Sequence, residues 1–151
     1  MTEIIAFVTA GATVTGLYFA FRHHRNEQLK IRLDVYPKKV AIFHCTEEFL
    51  RRTWTANYDY GPAHLAEFLN CTKEARFLFD KKMADYLDSV YKGVARHLDL
   101  ETKLEIHGDS MGFDEKRALQ DQVFASRHWV GQQNIQLKER FAKYLDLSGV
   151  Q

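Results

Sequence analysis

The feature that most constrains this chain is an uncharged block near its start. From Ile4 to Phe21 it reads IIAFVTAGATVTGLYFAF, 18 residues without a charge. At about 1.5 Å per residue a helix of that length reaches roughly 27 Å, close to the ~30 Å hydrocarbon core of a bilayer. The block therefore predicts a transmembrane helix. A cleaved signal peptide would begin with basic residues and end on small ones, whereas Met1, Thr2 and Glu3 lead in and Tyr18, Phe19, Ala20 and Phe21 lead out. A buried core helix would keep one polar face. Here the polar groups are Thr9, Thr13, Thr15 and the Tyr18 hydroxyl, which bonding within the helix satisfies in lipid.

Orientation follows from the next residues: Arg22, His23, His24 and Arg25, then Lys30, Arg32, Lys38 and Lys39. Positive charge marks the cytoplasmic side, so the short N-terminus is expected outside and the rest in the cytoplasm. The basic charge is local: residues 22–39 carry six Lys or Arg against Glu27 and Asp34, while residues 40–151 carry 15 against 17 Asp or Glu. Three regions result: an anchor over 1–21, a basic juxtamembrane segment over 22–36 and a cytosolic helical domain over 37–147. Arg22, Arg25, Lys30 and Arg32 at the membrane surface attract anionic headgroups at ~1 kcal/mol each, or serve topology alone. Tyr18, Phe19 and Phe21 fit the interfacial aromatic belt. Within the span Ala12, Gly16 and Ala20 recur every four residues along one stripe, a face on which two helix backbones can approach and the span can self-associate. A monomeric anchor is the other reading. Cys45 and Cys71 then fall in a reducing compartment, where free thiols are expected.

Leu29, Ile31, Leu33 and Val35 alternate with polar neighbours, the period of a half-exposed strand. The other short alternation, Leu104 to His107, is too brief to pair with it, so a helix leaving the membrane is the simpler reading. From Pro37 the chain reads as helices. Pro37 suits a first helical position, and Val40, Ile42, Phe43, Phe49, Leu50 and Trp54 give an apolar face. A turn at Asn57 to Gly61 precedes a short helix opened by Pro62, with Leu65, Phe68 and Leu69 on one side and its end at Cys71 or Thr72. Asp80 is placed to cap the cleanest stretch, in which Met83, Tyr86, Leu87, Val90, Tyr91, Val94 and Leu98 keep three-and-four spacing. A loop around His107 to Gly112 leads to a last helix from Asp114 to Leu145, with Leu119, Val123, Val130, Leu137, Phe141 and Leu145 inward and Gly131 as a point of kinking. An aromatic content of 13% supplies a core, and two Pro and eight Gly exclude a disordered or collagenous chain.

The basic exit from the span, Tyr36-Pro37-Lys38-Lys39 before an aromatic-rich helix ending Phe49-Leu50, then Glu74-Ala75-Arg76-Phe77-Leu78-Phe79-Asp80 and Tyr86-Leu87, resembles a group of small bacterial membrane-anchored proteins. The resemblance covers residues 17–98. It implies a bacterial inner-membrane setting and an all-helical cytosolic part, and it carries no catalytic residue.

Chemical motifs are absent: there is no Gly-rich phosphate loop, GxSxG, HExxH or CxxC. Adjacent His44 and Cys45 point about 100° apart on a helix, and His64 and Cys71 stand two turns apart, so neither pair chelates an ion. His97, His107 and His128 are scattered, and His107, Asp109 and Ser110 share a turn without forming a triad. No metal or cofactor is expected. Trp54, Tyr58 and Tyr60 form an aromatic cluster suited either to binding a partner or to closing the end of the core. Arg76 to Asp80 is a dense apolar knot expected in the core. Arg127, His128 and Trp129 suit either an exposed cation and aromatic pair or a Trp leaning on the bundle. Nucleic acid is not an expected partner, because the domain beyond residue 40 is net negative.

The expectation is an all-α chain, one N-terminal transmembrane helix followed by a cytosolic bundle of about four helices. Its expected role is a membrane-tethered interaction or adaptor module without catalysis, with anionic lipid, a protein partner and a second copy as its contacts. The alternative is a small oligomerising membrane effector of stress or phage response; an enzyme built from scattered His and acidic residues ranks third.

Overall fold

The computed structural model describes residues 34–55 and 62–146. Among them the regular structure is helical: α1 over residues 34–55, α2 Pro62–Thr72, α3 Ala75–Leu78, α4 Lys81–His107 and α5 Phe113–Leu145. The all-α expectation holds for these residues. Among the described residues, those from Lys38 onward belong to one compact unit. The expected span with Ala12, Gly16 and Ala20, the basic residues Arg22, Arg25, Lys30 and Arg32, and the turn residues Tyr58 and Tyr60 lie outside the described residues. No described helix is long and apolar enough to cross a membrane.

Helix α4 forms where its periodicity places it. Asp80 is extended (φ −71°, ψ 168°) and its carboxylate accepts the Met83 N–H at 3.0 Å, satisfying one of the free donors of the first turn. Met83, Tyr86, Leu87, Val90, Val94, His97 and Leu100 then fall on one buried face. Leu104 to His107, read locally as alternating, completes its last turn. After five residues α5 returns. Asp80 meets Lys143 and Tyr144, Tyr86 meets Arg140, Gly93 meets Trp129 and His97 meets Ser126, so α4 and α5 run antiparallel.

The same register reasoning places α1 along α5. Phe43 packs edge-on against Phe141 with ring centroids 5.4 Å apart, and Trp54 reaches Gly131. Helix α2 folds back on α1, with Phe68 stacked on Phe49 at 4.1 Å. The core between these helices holds Ile42, Phe49, Leu50, Phe68, Phe79, Val90, Val94, Val130, Leu137 and Phe141.

Several expectations are corrected. The helix already runs at Asp34, so Pro37 does not open it. Helix α5 is continuous through Gly131, which is needed because the Trp54 ring occupies the space of a Cβ there. Leu69 is exposed and His64 takes the inward position on α2. Within the apolar knot Phe79 is buried while Phe77 is 88% exposed, because the single turn of α3 turns them to opposite sides. Cys45 and Cys71, expected as free thiols, form a disulfide with Cα atoms 6.6 Å apart. The antiparallel packing of α2 on α1 brings the two side chains together.

Candidate functional site

Two polar clasps hold the α4–α5 seam. At its middle, His97 is buried on α4 with Nδ1 2.8 Å from Ser126 Oγ on α5. Ser126 gives its own hydrogen to the Val123 carbonyl at 2.8 Å, so Nδ1 is the donor to Oγ. Nε2 lies 3.4 Å from Glu101 Oε1. The names resemble a serine, base and carboxylate set, but the hydroxyl hydrogen points away from the imidazole, and the cluster joins helices instead of activating a nucleophile. Burial holds the His97 pKa below its ordinary value, against the opposing pull of Glu101 and aided by Arg127.

At the seam's other end Asp80 accepts from Tyr144 Oη at 2.5 Å, Lys143 Nζ at 3.1 Å and the Met83 N–H. These bonds, Tyr144 first, lower its pKa to about 2. Lys143 is raised in turn by Tyr144 and Asp80. The Tyr144 hydroxyl is raised by burial and by Asp80.

The remaining sequence candidates separate. Trp54 sits on Gly131, with its carbonyl accepting from Arg127 at 3.4 Å and the guanidinium 5.9 Å from its ring. The cation and aromatic pair thus joins Arg127 to Trp54, and Trp129 leans on Gly93 of α4. His44 faces Glu47 at 3.6 Å, and His64 is buried against Phe49, its pKa lowered by that burial. His107 ends α4, Asp109 pairs with Lys116, and His128 bonds Gln132 on α5, so these three residues are not brought together. Among the described residues no group of three or more His, Cys, Asp or Glu is placed to hold a metal ion.

The surface feature that sequence reasoning missed is on α5. Phe113, Phe124 and Ile135 are 79%, 74% and 81% exposed and recur every eleven residues, three turns of the helix. An eleven-residue period keeps them on one stripe. That stripe lies opposite Val130, Gln133, Leu137 and Phe141, which face the core, so α5 is apolar on two sides. The signal was the eleven-residue spacing, which a search for a single inward face passes over. No family model matches this chain, and no curated protein or solved structure matches it.

Proposed function

We propose that the chain is a membrane-tethered helical interaction module, non-catalytic, that docks a protein helix on the outward face of α5. The observation that carries this reading is the stripe of Phe113, Phe124 and Ile135, three large apolar side chains that no other described helix covers. A partner helix with matching apolar residues removes them from water while the polar residues between them, Arg117, Asp121 and His128, set specificity. The uncharged block 4–21 supplies the tether, and the basic segment after it supplies contact with anionic headgroups on the cytoplasmic face of the inner membrane.

A second reading, an oligomerising membrane effector, is favoured by the symmetry of the same stripe. In an antiparallel pair of α5 helices Phe124 meets its own copy and Phe113 meets Ile135. Crosslinking in intact membranes followed by identification of the captured chains separates the two. A distinct protein captured by the native chain and lost with Phe124→Glu supports the module. Self-oligomers alone, lost with the same variant, move the effector to first place, and capture indifferent to Phe124→Glu rejects the α5 surface.

A further inference from the structure

The stretch from Leu69 to Asp88 carries charges that the fold sorts into paired and unpaired. Glu74 is held by Lys38 at 3.3 Å, Asp80 by Lys143 at 3.1 Å and Asp88 by Lys92 at 2.6 Å. Lys73, Arg76 and Lys81 are exposed and make no ion pair among the described residues, and Asp85 is the acid left to offset them. Lys82 faces α5 instead. A groove of about 380 Å³ between α2, α3 and the start of α4 has Leu69, Lys73, Arg76 and Phe77 in its wall. Ala84 and Asp88 line it too, and Lys81 stands three and seven residues before them on the same face of α4. Phe77 is 88% exposed and Leu69 47%. Two uncovered apolar side chains thus share one surface with three unpaired cations.

A second observation is where this patch sits. The compact unit begins at Lys38, and the Lys38–Glu74 pair joins that entry point to the residue before α3. Lys39 Nζ lies 5.6 Å from the centre of the Phe79 ring, just after α3. Phe21, the last residue of the uncharged block, precedes Lys38 by 17 positions. A chain of that length spans at most roughly 60 Å, so the patch stays near whatever surface the block occupies.

We propose that Phe77 and Leu69 enter the headgroup boundary of an anionic bilayer while Lys73, Arg76 and Lys81 meet its phosphates, so that the bundle lies on the membrane; this rests on the tethered reading above. A bilayer suits the patch better than a protein does. Phe77 projects from a single turn with cations on both sides, and a lipid boundary takes such a ring without a matching pocket while leaving the charged ends among headgroups.

The test uses the full-length chain in phosphatidylcholine vesicles with and without phosphatidylglycerol, the acyl chains being brominated to quench fluorescence. An apolar fluorescent amino acid replaces Phe77 or, in a parallel sample, Phe124 on the outward face of α5. Docking predicts that phosphatidylglycerol brings quenching at position 77 and none at 124. Each cation near an anionic surface changes the docked-to-free ratio about fivefold, so Arg76→Gln with Lys81→Gln should lower that ratio about 25-fold. Both side chains are exposed and unpaired, so the double variant keeps the fold. With the label at Leu69 instead, Phe77→Asp should remove its quenching. Quenching that is absent with phosphatidylglycerol, equal at 77 and 124, or retained in the double variant overturns the proposal. An emission shift at 77 that grows with protein density and comes without quenching assigns the patch to a second copy and overturns it as well. Alkaline extraction, applied after the fluorescence is read, reports on the tether separately: release of the chain counts against the tether, and the quenching already recorded decides the docking.

Discussion

At the scale of single residues, the bundle is fitted together by two glycines that receive tryptophans. A Cβ on Gly93 would collide with the Trp129 ring, and one on Gly131 would meet Trp54 at 2.5 Å. Replacing a helical Gly with Ala ordinarily gains up to about 1 kcal/mol, while overpacking costs about 1–3 kcal/mol. Gly93→Ala is therefore expected to destabilise the domain by roughly 1 kcal/mol in urea unfolding. In a Trp129→Ala background the same change becomes stabilising, and equal effects in both backgrounds would refute the socket. Buried His64 and His97 add a pH dependence. Both have pKa values lowered by burial, so near pH 6.5 the unfolded chain takes up protons that the native chain resists. Their contribution is complete above that pH and declines as pH falls through it, at a limiting slope of about 1.4 kcal/mol per pH unit for one group. The melting temperature should be lower at about pH 5.5 than at about pH 7.5, with a shallower dependence in His97→Gln. Glu101 opposes this loss by favouring the protonated ring, and Arg127 and the burial reinforce it. A melting temperature that is constant across the interval contradicts the buried neutral state.

At the scale of elements, α4 was legible because cap and periodicity agree. Asp80 marks its start and every buried residue from Met83 to Val94 follows three-and-four spacing. The bounds of α2 were legible for the same local reasons, Pro62 at one end and Thr72 at the other. Helix α5 was legible only in part, since its inward residues repeat as expected while Phe113, Phe124 and Ile135 repeat on the far side. The His97–Ser126 and Asp80–Tyr144 clasps join residues 29 and 64 positions apart, and nothing local encodes a contact set by how two helices align. Phe77 was assigned inward on composition and Leu69 on helical spacing, although one turn of helix decides which of two neighbouring apolar residues is covered. The Asp80 clasp yields its own expectation. With its pKa lowered from 3.8 to about 2, Asp80 contributes stability fully above pH 3.8 and loses it as pH falls toward 2. Asp80→Asn keeps an acceptor for the Met83 N–H and should unfold less steeply than the native chain across that interval. Asp80→Ala, which loses the cap as well, should be the less stable of the two at neutral pH by thermal unfolding. The reverse order would mean that the cap contributes nothing.

At the scale of the whole molecule, the proposed topology and the Cys45–Cys71 pair constrain each other. Disulfides persist in oxidising compartments, whereas the proposed cytoplasmic topology would set the Cys45–Cys71 bond in a reducing one, where it would open. Alkylation of intact cells is therefore expected to label both thiols once a permeant reagent is used. A bond that survives in cells would put the domain on the outer side and reverse the orientation. The proposed function places a docked partner helix on the outer face of α5. The most direct measurement is site-specific photocrosslinking in native membranes, with the photoreactive residue placed in turn at Phe124, at Ile135 and at the exposed α4 position Lys92. A discrete adduct is expected from positions 124 and 135 and none from 92. Equal adducts from all three, or none from the α5 stripe, would contradict it.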